Sequence, residues 1–412
     1  MRIFVKPLKG IRVLDLSRVL AGPLCAQALG DLGAEVIKIE TPGEGDESRT
    51  WPPFHQGTAT AFITANRNKK SVAVNLKHGE GQRILHQLVK DADVVVESAA
   101  TGVAERLGAD YRTLQAINDR LIYCSISGFG RTGPLREWRG YDMILQAYSG
   151  MMSITGERDG APIRIPFSPI DQATGHHAVI GVLAALIERS VQGRGSYIEV
   201  SLFETAVSFL GYTIQAYLED RKLPTRTGSR HGGIAPYQAF ETADRTVLIG
   251  IANDKLWRAF CRDFGVEHLG RDRRFLTNKD RVRNCDAVAG AVQALVGAMP
   301  SIEVLDRLEK AGIPCAPINT IADLVGNPQV AARGLLKMIG GDSPIGGMQA
   351  VVMPVLFNNE ERDLGTAPPA LGQHSDLVLR GLGYSPAAID RLEQSGVIGR
   401  AHAAARVRTG SG

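Results

Sequence analysis

One carboxylate stands where a chain could do chemistry with it. Pro162, Pro166 and Pro169 hold the backbone irregular, and the sequence IPFSPIDQATGHHAVIGVLAA (165–185) then turns long and apolar. Asp171 sits at this junction of loop and helix, the helix being expected from about Gln172 to Ser190. The plain reading is a helix cap, because an Asp oxygen accepts a hydrogen bond from the first free helix amides. The chemical reading is a nucleophile, since a carboxylate at a helix N-terminus is stabilised as the anion by the helix dipole and can face a cleft.

Other chemistries are poorly served. Gly128-Phe-Gly-Arg-Thr-Gly133 has the spacing of a dinucleotide loop and follows an expected strand. Such a loop must also open a helix and be followed by an acid about 20 residues on. Here Pro134 and LREWRG follow, so the segment reads as a Gly-rich surface loop and nicotinamide binding is not expected. No phosphate-binding G-x-x-x-x-G-K-[ST], no H-E-x-x-H and no G-x-S-x-G occurs. Adjacent residues point to different sides of a helix, so His176 and His177 suit packing or capping better than a metal, and no metal site is expected. A dispersed basic set remains: Arg67, Lys69, Lys70, Lys77, Arg106, Arg136 and Arg139. Each flanks an expected strand end, and together they would suit a nucleotide phosphate, although each alone reads as a surface charge.

The elements that must position these groups are legible in outline. Ile11–Leu16 and Glu35–Glu40 read as buried strands joined by a helix from Gly22-Pro23 to about Leu32, a βαβ start that argues for a parallel, doubly wound sheet. Strands at Ser71–Leu76, Asp93–Val96, Leu121–Ser127 and Tyr197–Leu202 continue it. Helices are expected at Gly79–Ala92 and Tyr141–Met151, and Ser201–Leu218 has helical spacing. Near Arg221 the sequence becomes basic and Pro/Gly-punctuated, as a linker would. Beyond it a hairpin (Tyr237–Thr242, Thr246–Ile251), helices at Asp254–Phe264 and Ile302–Ala311, and a strand at Pro314–Asn319 make a smaller α+β domain. Gly340-Gly341 and Gly346-Gly347 mark a loop-rich return, followed by a strand at Ala350–Leu356 and a helix at Pro386–Gln394. Residues beyond about Arg400 are expected to fray. The expected division is 1–220, 221–335 and 336–412.

The bulk numbers agree with an ordinary globular enzyme. The chain has 412 residues, enough for two domains, with 44% apolar and 22% charged residues. A net charge of +4 argues against a nucleic-acid partner and leaves room for a local basic patch. Five scattered cysteines without a C-x-x-C read as reduced thiols, and with no secretory h-region and no run of about 18 apolar residues the expectation is a cytoplasmic protein with no membrane partner.

Several segments together resemble a known family. Pro7-Leu-x-Gly-Ile-Arg-Val-Leu-Asp15, Ala21-Gly-Pro23, Leu32-Gly-Ala-Glu-Val-Ile-Lys-Ile-Glu40, Asn66-Arg-Asn-Lys-Lys-Ser71, Asp93-Val-Val-Val-Glu97 and Gly140-Tyr-Asp142 resemble class III CoA-transferases of the CaiB/BaiF type. Asp171 with Gly175, Gly193-x-Gly-Ser-Tyr-Ile-Glu-Val, Pro236-Tyr-Gln-Ala-Phe240 and Leu371-Gly-Gln-His374 extend the match over about residues 5–395. The resemblance implies a large Rossmann-like domain built from both chain ends, a smaller domain between them, and two subunits interlocked as a homodimer. It implies Asp171 as nucleophile, with coenzyme A contacted by Val19, Asn75, Lys77, Arg106, Arg139 and Tyr141. His231-Gly232-Gly233 would correspond to a loop that covers the site, its backbone N–H groups serving an oxyanion. The segment Arg230–Phe240 resembles most the branch that uses dicarboxylic acids, such as succinate–hydroxymethylglutarate CoA-transferase, so Arg230 or His231 would meet the acceptor's second carboxylate.

Two departures stand out. Ser98-Ala-Ala-Thr-Gly102 replaces the family's frequent Asn-Phe-x-Pro-Gly, and the covering loop has two glycines where some members have four. The same fold hosts α-methylacyl-CoA racemases, in which a His occupies the position of Tyr141. Tyrosine, with an ordinary pKa near ~10, is a poor base at neutral pH, which favours transfer over racemisation. The expected reaction takes CoA from an acyl-CoA donor such as succinyl-CoA to a free carboxylic acid acceptor, through an aspartyl mixed anhydride and an aspartyl-CoA thioester.

Overall fold

A computed structural model describes residues 5–340, 347–361 and 363–401. Most of the expected Gly-rich return (341–346) and the C-terminal tail from 402 lie outside the described residues. The chain divides into two compact units. The first holds residues 1–149, 165–214 and 331–412, and the second holds 150–164 and 215–330. The second unit therefore takes in Gly150–Arg164 as well, a stretch expected in the large domain.

The first unit is a mixed α/β structure around one parallel-rich sheet. Its strands are β1 (Arg12–Leu16), β2 (Glu35–Glu40), β3 (Lys69–Val74), β4 (Val94–Glu97), β5 (Ile122–Ser127) and β6 (Tyr197–Ser201). They lie in the order β3-β2-β1-β4-β5-β6, all parallel. The short strand Ile398–Gly399 pairs antiparallel with β3 and closes that edge. The central strands are buried on both faces and so read as near-continuous apolar runs: Val94, Val95 and Val96 are fully enclosed. The edge strand β6 instead alternates exposed and half-buried residues. Neighbours of β1 are connected in opposite directions along the sheet. The crevice at the carboxyl ends of β1 and β4 is thus a topological switch point, where open α/β sheets take their ligands.

The helices that matter for this crevice are α1 (Ala21–Asp31), α2 (Gly79–Val89), α3 (Val103–Arg106), α4 (Asp142–Tyr148), α5 (Pro169–Gln192) and α6 (Leu202–Phe209). The continuous helical pattern expected over Ser201–Leu218 is interrupted at Leu210, and a separate helix starts at Gly211. By length and composition α5 could cross a membrane, alone among the single helices of the described residues. It is instead pinned to the sheet at its C-terminal end. Arg189 is buried and donates to Asp93 Oδ1 at 2.7 Å and to the Arg120 carbonyl at 3.1 Å. Its inner face meets α1 closely, because a Cβ added at Gly175 would lie 2.7 Å from the Ala21 carbonyl oxygen. That close approach brings the first turn of α5 beside the β1–α1 turn. Gly175→Val is accordingly expected to lower stability by about 1–3 kcal/mol through overpacking, read as a fall in Tm, and to lower activity with it.

The second unit has its own core around Phe240, Val247, Trp257 and Phe260. A hairpin of β7 (Tyr237–Glu241) and β8 (Thr246–Gly250), joined by β9 (Cys315–Pro317), packs against helices α7 (Asp254–Asp263), α8 (Cys285–Val296) and α9 (Ser301–Lys310). Cys25, Cys124 and Cys261 are buried free thiols. Beyond the units' cores, Leu336–Ile339 pairs with Met348–Val351, a strand that starts and ends earlier than expected.

Candidate active site

Asp171 is the third residue of α5 and does not cap it. Ser168 holds the cap position without making a side-chain bond. The capping acceptor comes from 29 residues upstream: Asp142 Oδ2 takes the N–H groups of Ile170 at 2.7 Å and Asp171 at 3.0 Å. Gln146, one turn along α4, donates to Asp142 Oδ1 at 2.5 Å and accepts from the Ile165 N–H at 2.8 Å. Asp142 and Gln146 are both buried, so α4 fixes the loop before α5 as well as its first turn. The expected role of Asp171 as a cap is thus filled by another carboxylate, and the Asp171 side chain is left to line a cavity.

This arrangement changes the proton affinity of Asp171 in the opposite sense to the helix dipole. Burial, and after it the nearby Asp142 carboxylate, raises its pKa from 3.8 to about 7. A carboxylate whose pKa is raised in this way is more basic than an exposed one, as suits a nucleophile or proton acceptor.

The Asp171 cavity sits at the switch point. It is lined by Arg18 and Val19 after β1, Ser98–Thr101 after β4, Ser127–Arg131 after β5, and by Arg139 and Tyr141. A second cavity beside it is lined by Asn75, Lys77 and Arg106. Arg18, Ala99 and Val103 line both. Of the residues assigned to coenzyme A by resemblance, Val19, Arg139 and Tyr141 thus accompany Asp171, while Asn75, Lys77 and Arg106 gather in the adjoining chamber. The Gly128–Gly133 segment, expected as a surface loop, is part of the wall. Gly128 packs on Gly140, where a Cβ would come within 2.8 Å of the Gly140 nitrogen.

Three of the expected phosphate-binding cations do not face the crevice. Arg67 is held by Asp31 and the Val351 carbonyl, and Lys70 pairs with Glu35 at 2.5 Å. Lys69 is fully enclosed, with Nζ at 2.8 Å from Asp15, the Pro23 carbonyl and Asn66 Oδ1. Lys38, also enclosed, bridges Asp46 at 3.0 Å and Asp15 at 3.6 Å and donates to the Ser17 carbonyl. Burial alone would raise Asp15, but Lys38 and Lys69 bring it down to about 2, and burial lowers Lys69 to about 8. These charges are structural, each matched because an unpaired buried charge is costly. They anchor the β1–α1 turn. Val19, a β-branched residue with φ of +71°, donates its N–H to the Asp46 carboxylate, and such a strained residue persists where the surroundings over-determine it.

Arg131, which the sequence did not single out, fastens the wall between the chambers. Its guanidinium donates to Ser125 Oγ and the Ala99 carbonyl at 2.8 Å and to Glu97 Oε1 at 2.9 Å. In the departing segment, the Ser98 hydroxyl accepts the Arg18 N–H and Thr101 donates to the Arg136 carbonyl, so the loop keeps polar anchors of its own.

Arg230, His231, Gly232 and Gly233 belong to the second unit. Arg230 is engaged there by Asp286 at 2.8 Å, Gln238 at 3.0 Å and the Cys285 sulfur at 3.0 Å. The Gly233 N–H donates to His231 Nδ1 at 3.1 Å, and the Gly233 carbonyl accepts from Asn278. In this conformation that N–H is not a free oxyanion donor. His177 contacts the Thr205 hydroxyl, a packing role, and no cluster of metal-ligating side chains occurs among the described residues.

Comparison with known proteins places this geometry. The model of CoA-transferase family III matches residues 8–375. The chain is 40% identical over 397 residues to succinyl-CoA:glutarate CoA-transferase of Mus musculus, covering 96% of this chain and 91% of that one. It is 37% identical over 381 residues to succinate–glutarate CoA-transferase of Agrobacterium fabrum, covering 90% and 95%. Among solved structures, a CAIB/BAIF family protein from Brucella suis superposes with a TM-score of 0.82 at 37% identity, covering 92% of this chain and all of that one. The chain belongs to CoA-transferase family III and is an enzyme of that type.

Proposed function

We propose that this CoA-transferase moves CoA from an acyl-CoA to a free dicarboxylic acid, with Asp171 as the covalent nucleophile. The observation that carries the reading is the Asp171 carboxylate at the switch-point cavity, with its pKa near neutrality and a second, cation-lined chamber adjoining. Coenzyme A would lie across both, its thioester at Asp171 and its nucleotide end toward Asn75, Lys77 and Arg106.

The steps balance without an external proton. The Asp171 carboxylate attacks the thioester carbonyl, giving an aspartyl–acyl anhydride and CoA thiolate. The thiolate attacks the aspartyl carbonyl, releasing the donor acid and leaving an aspartyl-CoA thioester. The acceptor carboxylate displaces the thiolate, forming a second anhydride. The thiolate then attacks the acceptor's carbonyl, yielding the new acyl-CoA and free Asp171. Each step exchanges one activated acyl bond for another, as covalent catalysis requires. Racemisation is not favoured, because Tyr141 stands where that reaction places a His base.

Glutarate, the acceptor in the names of two relatives, is the first acid to test with succinyl-CoA. In a panel of mono- and dicarboxylic acids assayed by mass spectrometry, C4–C6 dicarboxylates should be the fastest acceptors. Preferred transfer to monocarboxylates would overturn the acceptor class, and α-hydrogen exchange without acceptor would point to racemisation. Arg230→Gln in the same panel should lower the dicarboxylate-to-monocarboxylate ratio, whereas an unchanged ratio removes Arg230 from acceptor selection.

We further propose a homodimer. The outer face of α5 exposes Ile180, Ile187 and Val191 at 64%, 70% and 79%, an apolar stripe on a helix whose other face is core. Light scattering should give twice the 44.3 kDa chain mass. A monomer at micromolar concentration contradicts the proposal.

A further inference from the structure

Among the described residues Arg18 occupies a place that no other cation shares. It lines both the Asp171 cavity and the adjoining chamber, while Arg139 lines only the first and Lys77 and Arg106 only the second. Among the described residues its guanidinium makes no hydrogen bond or ion pair, although Glu47 lines the first cavity and Glu44 the second. The neighbouring cations are committed: Arg131 to Glu97, and Lys38 and Lys69 to Asp15 and Asp46.

The backbone that carries Arg18 is fixed at every step. Ser17 N–H donates to Asp15 and its carbonyl accepts from Lys38. Arg18 N–H donates to Ser98 Oγ at 3.0 Å, and Val19, strained at φ +71°, donates to Asp46. A turn held by three separate segments, presenting one unmatched charge at a junction, is built as a preorganised ligand contact.

We infer that Arg18 binds the diphosphate of the CoA donor. The inference rests on the placement of CoA proposed above. With the thioester at Asp171 and the nucleotide at Asn75, Lys77 and Arg106, the portion that crosses the junction is the pantetheine arm and the diphosphate. The arm is neutral, so the diphosphate is the anion a cation at the junction meets, and a guanidinium donates to phosphate oxygens in paired fashion.

The test compares wild type with Arg18→Gln and Arg18→Lys on three thioesters of one acid: CoA, dephospho-CoA and pantetheine. Arg18→Gln should lower kcat/KM about 10- to 100-fold for the CoA and dephospho-CoA thioesters, which both carry the diphosphate, and leave the pantetheine thioester unchanged. Arg18→Lys should recover part of the loss. The KM for the acceptor acid should stay within about twofold. An equal loss on the pantetheine thioester would place Arg18 at the reacting end and overturn the inference. So would insensitivity of the dephospho-CoA thioester, which would assign Arg18 to the 3′-phosphate, and so would a rise confined to the acceptor KM. Calorimetric titration of free CoA into both proteins gives a readout independent of turnover. If wild type binds CoA but transfers nothing, the proposed function fails while a weaker CoA affinity in Arg18→Gln still supports Arg18. Equal CoA affinities refute it.

Discussion

Asp171→Ala should reduce CoA transfer by at least about 10³-fold while leaving CoA affinity nearly intact. The separation follows from the two chambers: Asp171 lines one, and Asn75, Lys77 and Arg106 line the other. Asp171→Asn should be equally inactive, because an amide keeps the shape and lacks the nucleophilic oxygen anion. Neither variant should melt below wild type. The folded state holds the Asp171 proton more tightly than the unfolded chain does, so this group opposes folding above pH 3.8, increasingly up to about 7. Removing it relieves that opposition at neutral pH, and a loss of activity therefore reports chemistry, not unfolding. Incubating wild type with an acyl-CoA and no acceptor, then mapping peptides by mass spectrometry, should find CoA esterified to the peptide holding Asp171. Near-normal turnover in either variant, or an adduct at another residue, would sink the nucleophile assignment.

The sequence carried the sheet well because its signal is local. Strands buried on both faces are mostly apolar, and IRVLDL, EVIKIE and DVVVE announce themselves within six residues even with the enclosed charges Asp15 and Lys38 among them. The polar groups behaved differently. Lys69 and Lys70 are neighbours in the chain, yet one is enclosed against Asp15 from β1 and the other reaches Glu35 at the surface-facing end of β2. Nothing within several residues of either lysine distinguishes them, because the deciding carboxylates lie 54 and 35 positions away. The plain reading of Asp171 as a cap gives way for the same reason: the capping oxygen, on Asp142, approaches from another helix. A signal for Asp142 did exist, as the acid of the Gly-Tyr-Asp segment next to Tyr141. The Gly-rich loop lacks the helix and acid that a dinucleotide motif needs, and that test is silent on Gly128 packing against Gly140 to form the cavity wall.

Asp142 also supplies the second large expected effect, on the pH dependence. If ionised Asp171 is the attacking species, kcat/KM for the acyl-CoA should rise with pH through a midpoint of about 7 and fall tenfold per unit well below it. Burial and the Asp142 carboxylate both push the midpoint up. Asp142→Asn removes the second cause and keeps the first. Its side-chain oxygen can still accept the Ile170 and Asp171 N–H groups, but its new amide meets the Gln146 amide N–H, and turning Gln146 to accept from it takes the acceptor away from the Ile165 N–H, so a small loss of Tm is expected. The midpoint should therefore drop below 7 yet remain above 3.8, and each unit of that drop should raise the relative rate near pH 5 about tenfold. Asp142→Ala is the harsher variant. It also strips the cap from two buried helix amides, and an unsatisfied buried donor costs roughly 1–3 kcal/mol, so Tm should fall further than in Asp142→Asn. A midpoint that stays at about 7 in Asp142→Asn would show that the charge of Asp142 does not set the reactivity of Asp171. The pH shift in the Asn variant, with the larger loss of stability in the Ala variant, would separate the electrostatic role of this carboxylate from its role as the cap that aims Asp171 into the cavity.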